Sequence, residues 1–192
     1  MMAARVVIGM DEVGRGCWAG PVMVGAVVLD QPITGLRDSK QLSVKSREKL
    51  ATIIHADALA VALGSASPLE IDELGLTEAL RLAYQRALVC VTVPFDQIII
   101  DGNYNFLPSV SNVIVRVKAD ATESAVSAAS IVAKVARDHL MADIDTKYPG
   151  YGFGKHVGYG TAMHAAALQM LGVCDIHRRS FAPVRRALGL AR

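Results

Sequence analysis

The stretch Arg5-Val6-Val7-Ile8-Gly9-Met10-Asp11-Glu12-Val13-Gly14-Arg15-Gly16 decides the reading of the fold. Its apolar, β-branched opening predicts a buried strand over 5–10. Two carboxylates follow at once, and then a glycine-rich turn. A second apolar strand is expected over 22–29, beyond Pro21. A strand, two acids and a Gly-Arg-Gly turn form a compact unit, and the acids stand where a buried sheet ends.

Further along, Ser43 is placed to cap a helix running towards His55, and a strand is expected over 59–63. Ser67-Pro68-Leu69-Glu70 has capping-box spacing with proline at the first helical position, and Gly75 can end that short helix. A helix from Thr77 towards Cys90 comes next, then β-branched runs at 97–101 and 113–117, a long alanine-rich helix over 122–147, a glycine-rich loop over 149–160 and a last helix over 161–171 closed by Gly172. Strands come first and then alternate with helices, which predicts an α/β fold built on a mixed sheet flanked by helices.

The chain has 192 residues, 52% of them apolar and 20% charged, which suits one domain over 1–192 with a sizeable core, its segment 161–192 packed on it as helix. The longest apolar stretch, 17–29, contains Pro21 and falls short of the ~20 residues needed to cross a bilayer. Asp11 and Glu12 interrupt the first apolar run before a signal-peptide core can form, so a cytoplasmic protein with no membrane partner is expected. Cys17, Cys90 and Cys174 are odd in number and scattered, the pattern of reduced thiols rather than of a disulfide framework or a zinc site.

The net charge is only +2, but it is unevenly spread: 134–192 holds nine Lys/Arg against four Asp/Glu, while 1–133 holds 11 against 14. A basic last third fits contact with phosphates and equally fits solvated helices. Lys40, Lys134, Arg137 and Lys155 are candidates for such contact with the same alternative. Arg178 and Arg179 are further candidates. His156 and His164 lack metal-ligand spacing and receive no role.

Four acids sit where acids are unexpected. Asp11 and Glu12 follow the first apolar run, Asp101 follows Ile98-Ile99-Ile100, and Asp120 lies between the 113–117 strand and the long helix. Active sites of α/β sheets tend to lie at strand ends. If these strands are neighbours, the acids converge at one edge. Carboxylates packed together repel, and a hard divalent cation relieves the repulsion. Two such ions can activate a water and stabilise the leaving oxygen of a phosphodiester. Individually, Asp120 reads equally as an acid favoured by a helix dipole, and Asp101-Gly102-Asn103 reads equally as a turn. In Gly14-Arg15-Gly16 the glycines permit close approach of backbone amides to a ligand and leave Arg15 to meet a phosphate, though a plain tight turn has the same pattern.

The residues Met10-Asp11-Glu12-Val13-Gly14-Arg15-Gly16, continuing through Ala19-Gly20-Pro21-Val22, resemble the opening signature of ribonuclease HII. Asp38-Ser39-Lys40, Asp101-Gly102-Asn103, Lys118-Ala119-Asp120, the run from Ala128 to Asp138, Gly158-Tyr159-Gly160-Thr161 and the run from His177 to Pro183 are similar to further blocks of that family, in its order. The resemblance implies a ribonuclease H-like fold with a mixed five-stranded sheet and a small helical C-terminal part. It also implies that Asp11, Glu12, Asp101 and Asp120 are catalytic acids holding Mg²⁺ or Mn²⁺, two ions during catalysis. Gly14, Arg15 and Gly16 would read a ribonucleotide's 2′-hydroxyl, and Tyr159 would stack on the following deoxy sugar. The implied partners are RNA–DNA hybrids and duplex DNA containing ribonucleotides, met by a monomer. Cys17-Trp18 departs from the family's more usual proline and small or aliphatic residue. Ribonuclease HIII is the rival with similar acids, but it usually carries an extra N-terminal domain, for which a signature beginning at Met10 leaves no room. An actin-like ATPase would need a second lobe.

Overall fold

The computed structural model describes residues 5–36 and 42–190. The elements, in chain order, are β1 (Val7–Val13), β2 (Val22–Val28), α1 (Val44–Asp57), β3 (Ala60–Ala66), α2 (Pro68–Leu74), α3 (Leu76–Val89), β4 (Gln97–Asp101), β5 (Val113–Arg116), α4 (Ala119–Thr122), α5 (Ser124–Lys147), α6 (Phe153–His156), α7 (Ala162–Leu171) and α8 (Ala182–Ala187). The Asp38-Ser39-Lys40 block lies outside the described residues.

The chain divides into two compact units. The first comprises the described residues of Met1–Val13, Met23–Ser65 and Arg81–Val135. It is built on a five-stranded sheet in the order β3-β2-β1-β4-β5. β1 runs antiparallel to β2 and parallel to β4, and β4 runs parallel to β5. The sheet is therefore mixed. Pairing with β2 continues to Val13 opposite Met23, so β1 is longer than its apolar run suggests and carries Asp11 and Glu12 inside the strand.

Two glycines set how α5 meets this sheet. A Cβ on Gly9 would lie 2.1 Å from the backbone carbon of Ala125, and one on Gly25 would lie 2.3 Å from the Ala129 carbonyl oxygen. Only a residue without a side chain lets helix backbone come this close to a strand. Val27 then packs with Leu50, Ala51 and Ile54 of α1 and with Ala128, Ala129, Ile131 and Val132 of α5. Successive strand residues face opposite ways. Gly9 and Asp11 thus share the α5 face, and Glu12 lies on the other.

The second unit comprises the described residues of Gly14–Val22, Ala66–Leu80 and Ala136–Arg192. Its core gathers Ala19, Met141, Tyr151, Phe153 and Ala167. Ser67 and Glu70 form the expected capping box at α2, and Ser43 and Thr161 cap α1 and α7. The long helix begins at Ser124, later than expected, because Glu123 is extended and ends the separate turn α4. The glycine-rich 149–160 loop also holds a short helix, α6. Among the described residues no helix is long and apolar enough to cross a membrane, and the three cysteines are free thiols.

Candidate active site

The acids meet in the first unit. Parallel pairing aligns Met10 with Ile100, so Asp11 and Asp101 come next on adjacent strands and face the same side of the sheet. One residue further on than the paired Ile100–Val115, Asp101 stands opposite Arg116 of β5. Its Oδ1 accepts a 2.7 Å hydrogen bond from the Ala119 amide. That bond ties the end of β4 to the start of α4, whose next residue, Asp120, is only 7% exposed. A lone acid at a helix start is normally solvated. Asp120 is thus buried beside the residue whose amide holds Asp101.

Burial pushes the Asp11 carboxyl up to about 7, and the neighbouring Glu12 and Asp101 push in the same direction, against hydrogen bonds from the Ser130 hydroxyl and the Glu12 amide. The Glu12 amide donates to Asp11 Oδ1 at 2.8 Å. On the opposite face, the fully buried Tyr84 of α3 donates its hydroxyl to Glu12 Oε2 at 2.6 Å. Burial, then Glu12, Asp11 and Asp101, hold the Tyr84 phenol well above 10. Two different groups thus report one concentration of negative charge. Crowded hard oxygen donors, one of them driven towards its neutral form, suit a hard divalent cation. As they stand, no three His, Cys, Asp or Glu side chains among the described residues are close enough together to hold an ion. Asp11, Glu12 and Asp101 lie within one another's electrostatic reach without forming a closed cage.

Sequence reasoning did not reveal Tyr84 or Ser130. Tyr84 belongs to an apolar helical stripe with Leu80, Ala83 and Ala87, all fully buried. The one usable signal was its hydroxyl, since a buried tyrosine normally finds a partner for it. Ser130 is, like Ser127, a buried serine among the alanines and branched aliphatic residues of α5.

In the second unit, Gly14 is buried with φ +85°, while Arg15 and Gly16 are exposed. A Cβ on Gly14 would fall 2.2 Å from Arg137 Nε. Tyr159 is 41% exposed, and its hydroxyl bonds to the Cys17 thiol; burial first, then Cys17, raises its pKa. The structure therefore brings Tyr159 to the turn, 142 positions on from Cys17 in the chain. Trp18 packs on it too: a Cβ on Gly160 would lie 2.1 Å from the Trp18 ring.

The basic residues divide. Arg137 and Arg178 have no exposure, which removes both from the phosphate contacts expected of them. Arg137 donates to the carbonyls of Pro21, Val157 and Ala19. Arg178 donates to those of Gly20, Arg15 and Gly14. Burial lowers the pKa of Arg178 to about 10, which leaves it charged at neutral pH. Lys155 and Arg179 are exposed and Lys134 is half-buried, whereas Lys40 lies outside the described residues.

The histidines left without a role form a buried cluster. His177 Nδ1 accepts from the Cys174 amide at 3.0 Å, so its Nε2 donates to His164 Nε2 at 3.1 Å. His164 Nδ1 then donates to the Tyr159 carbonyl at 2.9 Å. His156 stacks on His164 with ring centroids 4.4 Å apart. One hydrogen bond thus fixes the tautomer of the next ring, and burial lowers the pKa of both His164 and His177.

A mixed five-stranded sheet whose central parallel strands carry neighbouring carboxylates is the arrangement of ribonuclease H-like, metal-dependent hydrolases. The ribonuclease H2 structure from Pyrococcus horikoshii OT3 superposes with a TM-score of 0.79 at 28% identity, over 95% of this chain and 96% of that one. The Bst-RNase HIII structure in complex with Mn²⁺ shares the fold, with a TM-score of 0.73 at 23% identity, over 98% of this chain and 71% of that one. The chain belongs to the ribonuclease HII family, whose model, described as Ribonuclease HII, matches residues 8–184. It is 51% identical over 187 residues to the ribonuclease HII of Halorhodospira halophila, covering 95% of each chain. It is 48% identical over 182 residues to that of Thermus thermophilus, covering 95% of this chain and 89% of the relative. It is accordingly a divalent-metal-dependent ribonuclease that hydrolyses phosphodiester bonds.

Proposed function

We propose that the protein hydrolyses the RNA strand of RNA–DNA hybrids and cuts on the 5′ side of single ribonucleotides embedded in duplex DNA, leaving 3′-hydroxyl and 5′-phosphate ends. The observation that carries this reading is the proximity of Glu12 and Asp101 to Asp11, whose carboxyl is lifted to about 7 by burial and by those two acids. Asp11, Glu12, Asp101 and Asp120 would hold Mg²⁺ or Mn²⁺, two ions in the working site, which supply an activated water and stabilise the leaving oxygen.

The chain's own residues set the stage for this. The Glu12 amide and the Ser130 hydroxyl fix Asp11. Tyr84 fixes one oxygen of Glu12, and the Ala119 amide fixes one oxygen of Asp101. Gly14, Arg15 and Gly16 would sense the 2′-hydroxyl, the group by which RNA is told from DNA at a given position. The ring of Tyr159 would stack on the next sugar and disfavour an added hydroxyl there. Together they select an RNA-to-DNA step, in a monomer working in the cytoplasm.

The test is cleavage of a duplex containing one ribonucleotide, in Mg²⁺ or Mn²⁺, with the product ends mapped. Cutting 5′ of the ribonucleotide is expected. Efficient cleavage of uniform hybrids with the single-ribonucleotide duplex left whole would overturn the embedded-ribonucleotide reading and the role of Tyr159. It would be the behaviour expected of ribonuclease HIII.

A further inference from the structure

We infer that Arg178 is a specificity-determining positioning residue: buried behind the Gly14-Arg15-Gly16 turn, it fixes the direction in which the turn presents its amides and so sets discrimination between ribo- and deoxyribonucleotides. The inference rests on the reading that this turn senses the 2′-hydroxyl.

All three guanidinium nitrogens of Arg178 are used on one short segment. Nη2 donates to the Gly14 carbonyl at 2.6 Å, Nη1 to Arg15 at 2.9 Å and Nε to Gly20 at 2.9 Å. The Arg178 amide donates to the Trp18 carbonyl at 2.8 Å. Arg137 takes the carbonyls of Ala19 and Pro21 in the same segment. Both arginines are fully buried. Phosphate contact is therefore closed to them, and backbone oxygens satisfy their charge.

The consequence follows from peptide geometry. In a trans peptide the carbonyl of one residue and the amide N–H of the next point in opposite directions, and the chain has no cis peptide among the described residues. Carbonyls of Gly14 and Arg15 drawn inward to Arg178 turn the N–H groups of Arg15 and Gly16 away from it. Those two residues are the exposed ones of the turn. Residue 16 has no side chain and is exposed, and a Cβ there would meet no atom within 4 Å. A flat guanidinium spreads its donors over three nitrogens in a rigid fork and so reaches three separated carbonyls at once, whereas lysine's three donors radiate from a single nitrogen on a flexible stem. The ring of Phe181, whose centroid lies 5.2 Å from Arg178 Cζ, braces the group from one side.

The experiment measures binding in EDTA, where hydrolysis is off, for matched duplexes with one ribonucleotide or none, across a salt series. Wild-type protein should prefer the ribonucleotide duplex. In Arg178→Lys that preference should fall about tenfold, the worth of one or two lost charged hydrogen bonds. The all-deoxy affinity and its salt slope should stay as in wild type, because the residue touches no phosphate. A preserved preference overturns the inference. So does a weaker all-deoxy affinity with a salt slope reduced by about one, the mark of a lost phosphate contact. If Arg178→Lys does not fold, Phe181→Leu loosens the same guanidinium without removing it; a two- to fivefold smaller preference is expected, and an unchanged one overturns the inference. A wild-type protein with no ribonucleotide preference would defeat the 2′-hydroxyl reading itself, and the inference with it. That failure is recognised before any variant is made.

Discussion

Replacing Asp11 by Asn should make the metal-free protein more stable while removing its activity. The folded carboxyl titrates near 7 instead of 3.8, chiefly through burial and then through Glu12 and Asp101. A group with a raised folded pKa contributes stability that is complete below its unfolded value, here 3.8, and lost as pH rises through about 7. Above that pH the native state carries a charge it disfavours. The shift corresponds to about 4 kcal/mol at 1.36 kcal/mol per unit. Asp11 is partly open to solvent, so screening brings the expected gain down to ~2 kcal/mol. Asn keeps the oxygen that accepts from the Glu12 amide, so the charge is the main thing removed. The assay is urea denaturation in EDTA from pH 4 to 8. The gain of Asp11→Asn over wild type should grow through that range and level off above pH 7. Adding Mg²⁺ or Mn²⁺ should then stabilise wild type, since a ligand binding only the native state shifts its stability by mass action, and should stabilise the variant far less. A variant that is less stable than wild type at pH 8 in EDTA, or a gain that ignores pH, would refute the claim that burial and the neighbouring acids disfavour the charged Asp11.

Asp101→Asn should lower cleavage at millimolar Mg²⁺ by on the order of 100-fold or more with the fold intact, checked by steady-state kinetics beside circular dichroism; near-wild-type cleavage would remove Asp101 from the site. His177 behaves oppositely to Asp11: burial, then His164, lowers its pKa to about 4. Its contribution is complete above the unfolded value of about 6.5 and is lost as pH falls towards 4, up to ~3 kcal/mol, so NMR should find its ring neutral at pH 5.5, and a midpoint near 6.5 would contradict the relay. Gly25→Ala should cost ~1–3 kcal/mol of stability, because its Cβ would meet the Ala129 carbonyl oxygen at 2.3 Å; an unchanged denaturation midpoint would show that α5 shifts freely. Arg179 is exposed, and Arg179→Ala should reduce the salt slope of duplex binding by about one if it meets a phosphate; an unchanged slope assigns it to solvent.

What the sequence determined by itself is local and ordered along the chain. The apolar run stopping at Asp101 marked a strand end with a carboxylate, whereas the one stopping at Asp11 marked the acids but not the strand end, which lies at Val13. Ser67-Pro68-Leu69-Glu70 and Ser43 announced helix starts, since a cap is satisfied within one turn of backbone. Seven blocks in family order pointed to ribonuclease HII, and the comparisons bear out the family and the fold. Tertiary structure alone decided what lies beside what. Asp101 neighbours Asp11 only because β4 pairs parallel with β1 in one register, and a slip of one residue would turn its carboxylate to the other face. Tyr84 reaches Glu12 across 72 positions, and Arg178 reaches Gly14 across 164. Nothing local separates a buried arginine that holds a turn from a surface one that meets phosphate, because the composition and charge are the same. The difference is solvent: burial converts Arg137 and Arg178 from phosphate candidates into braces for backbone carbonyls, and burial is a property of the folded chain.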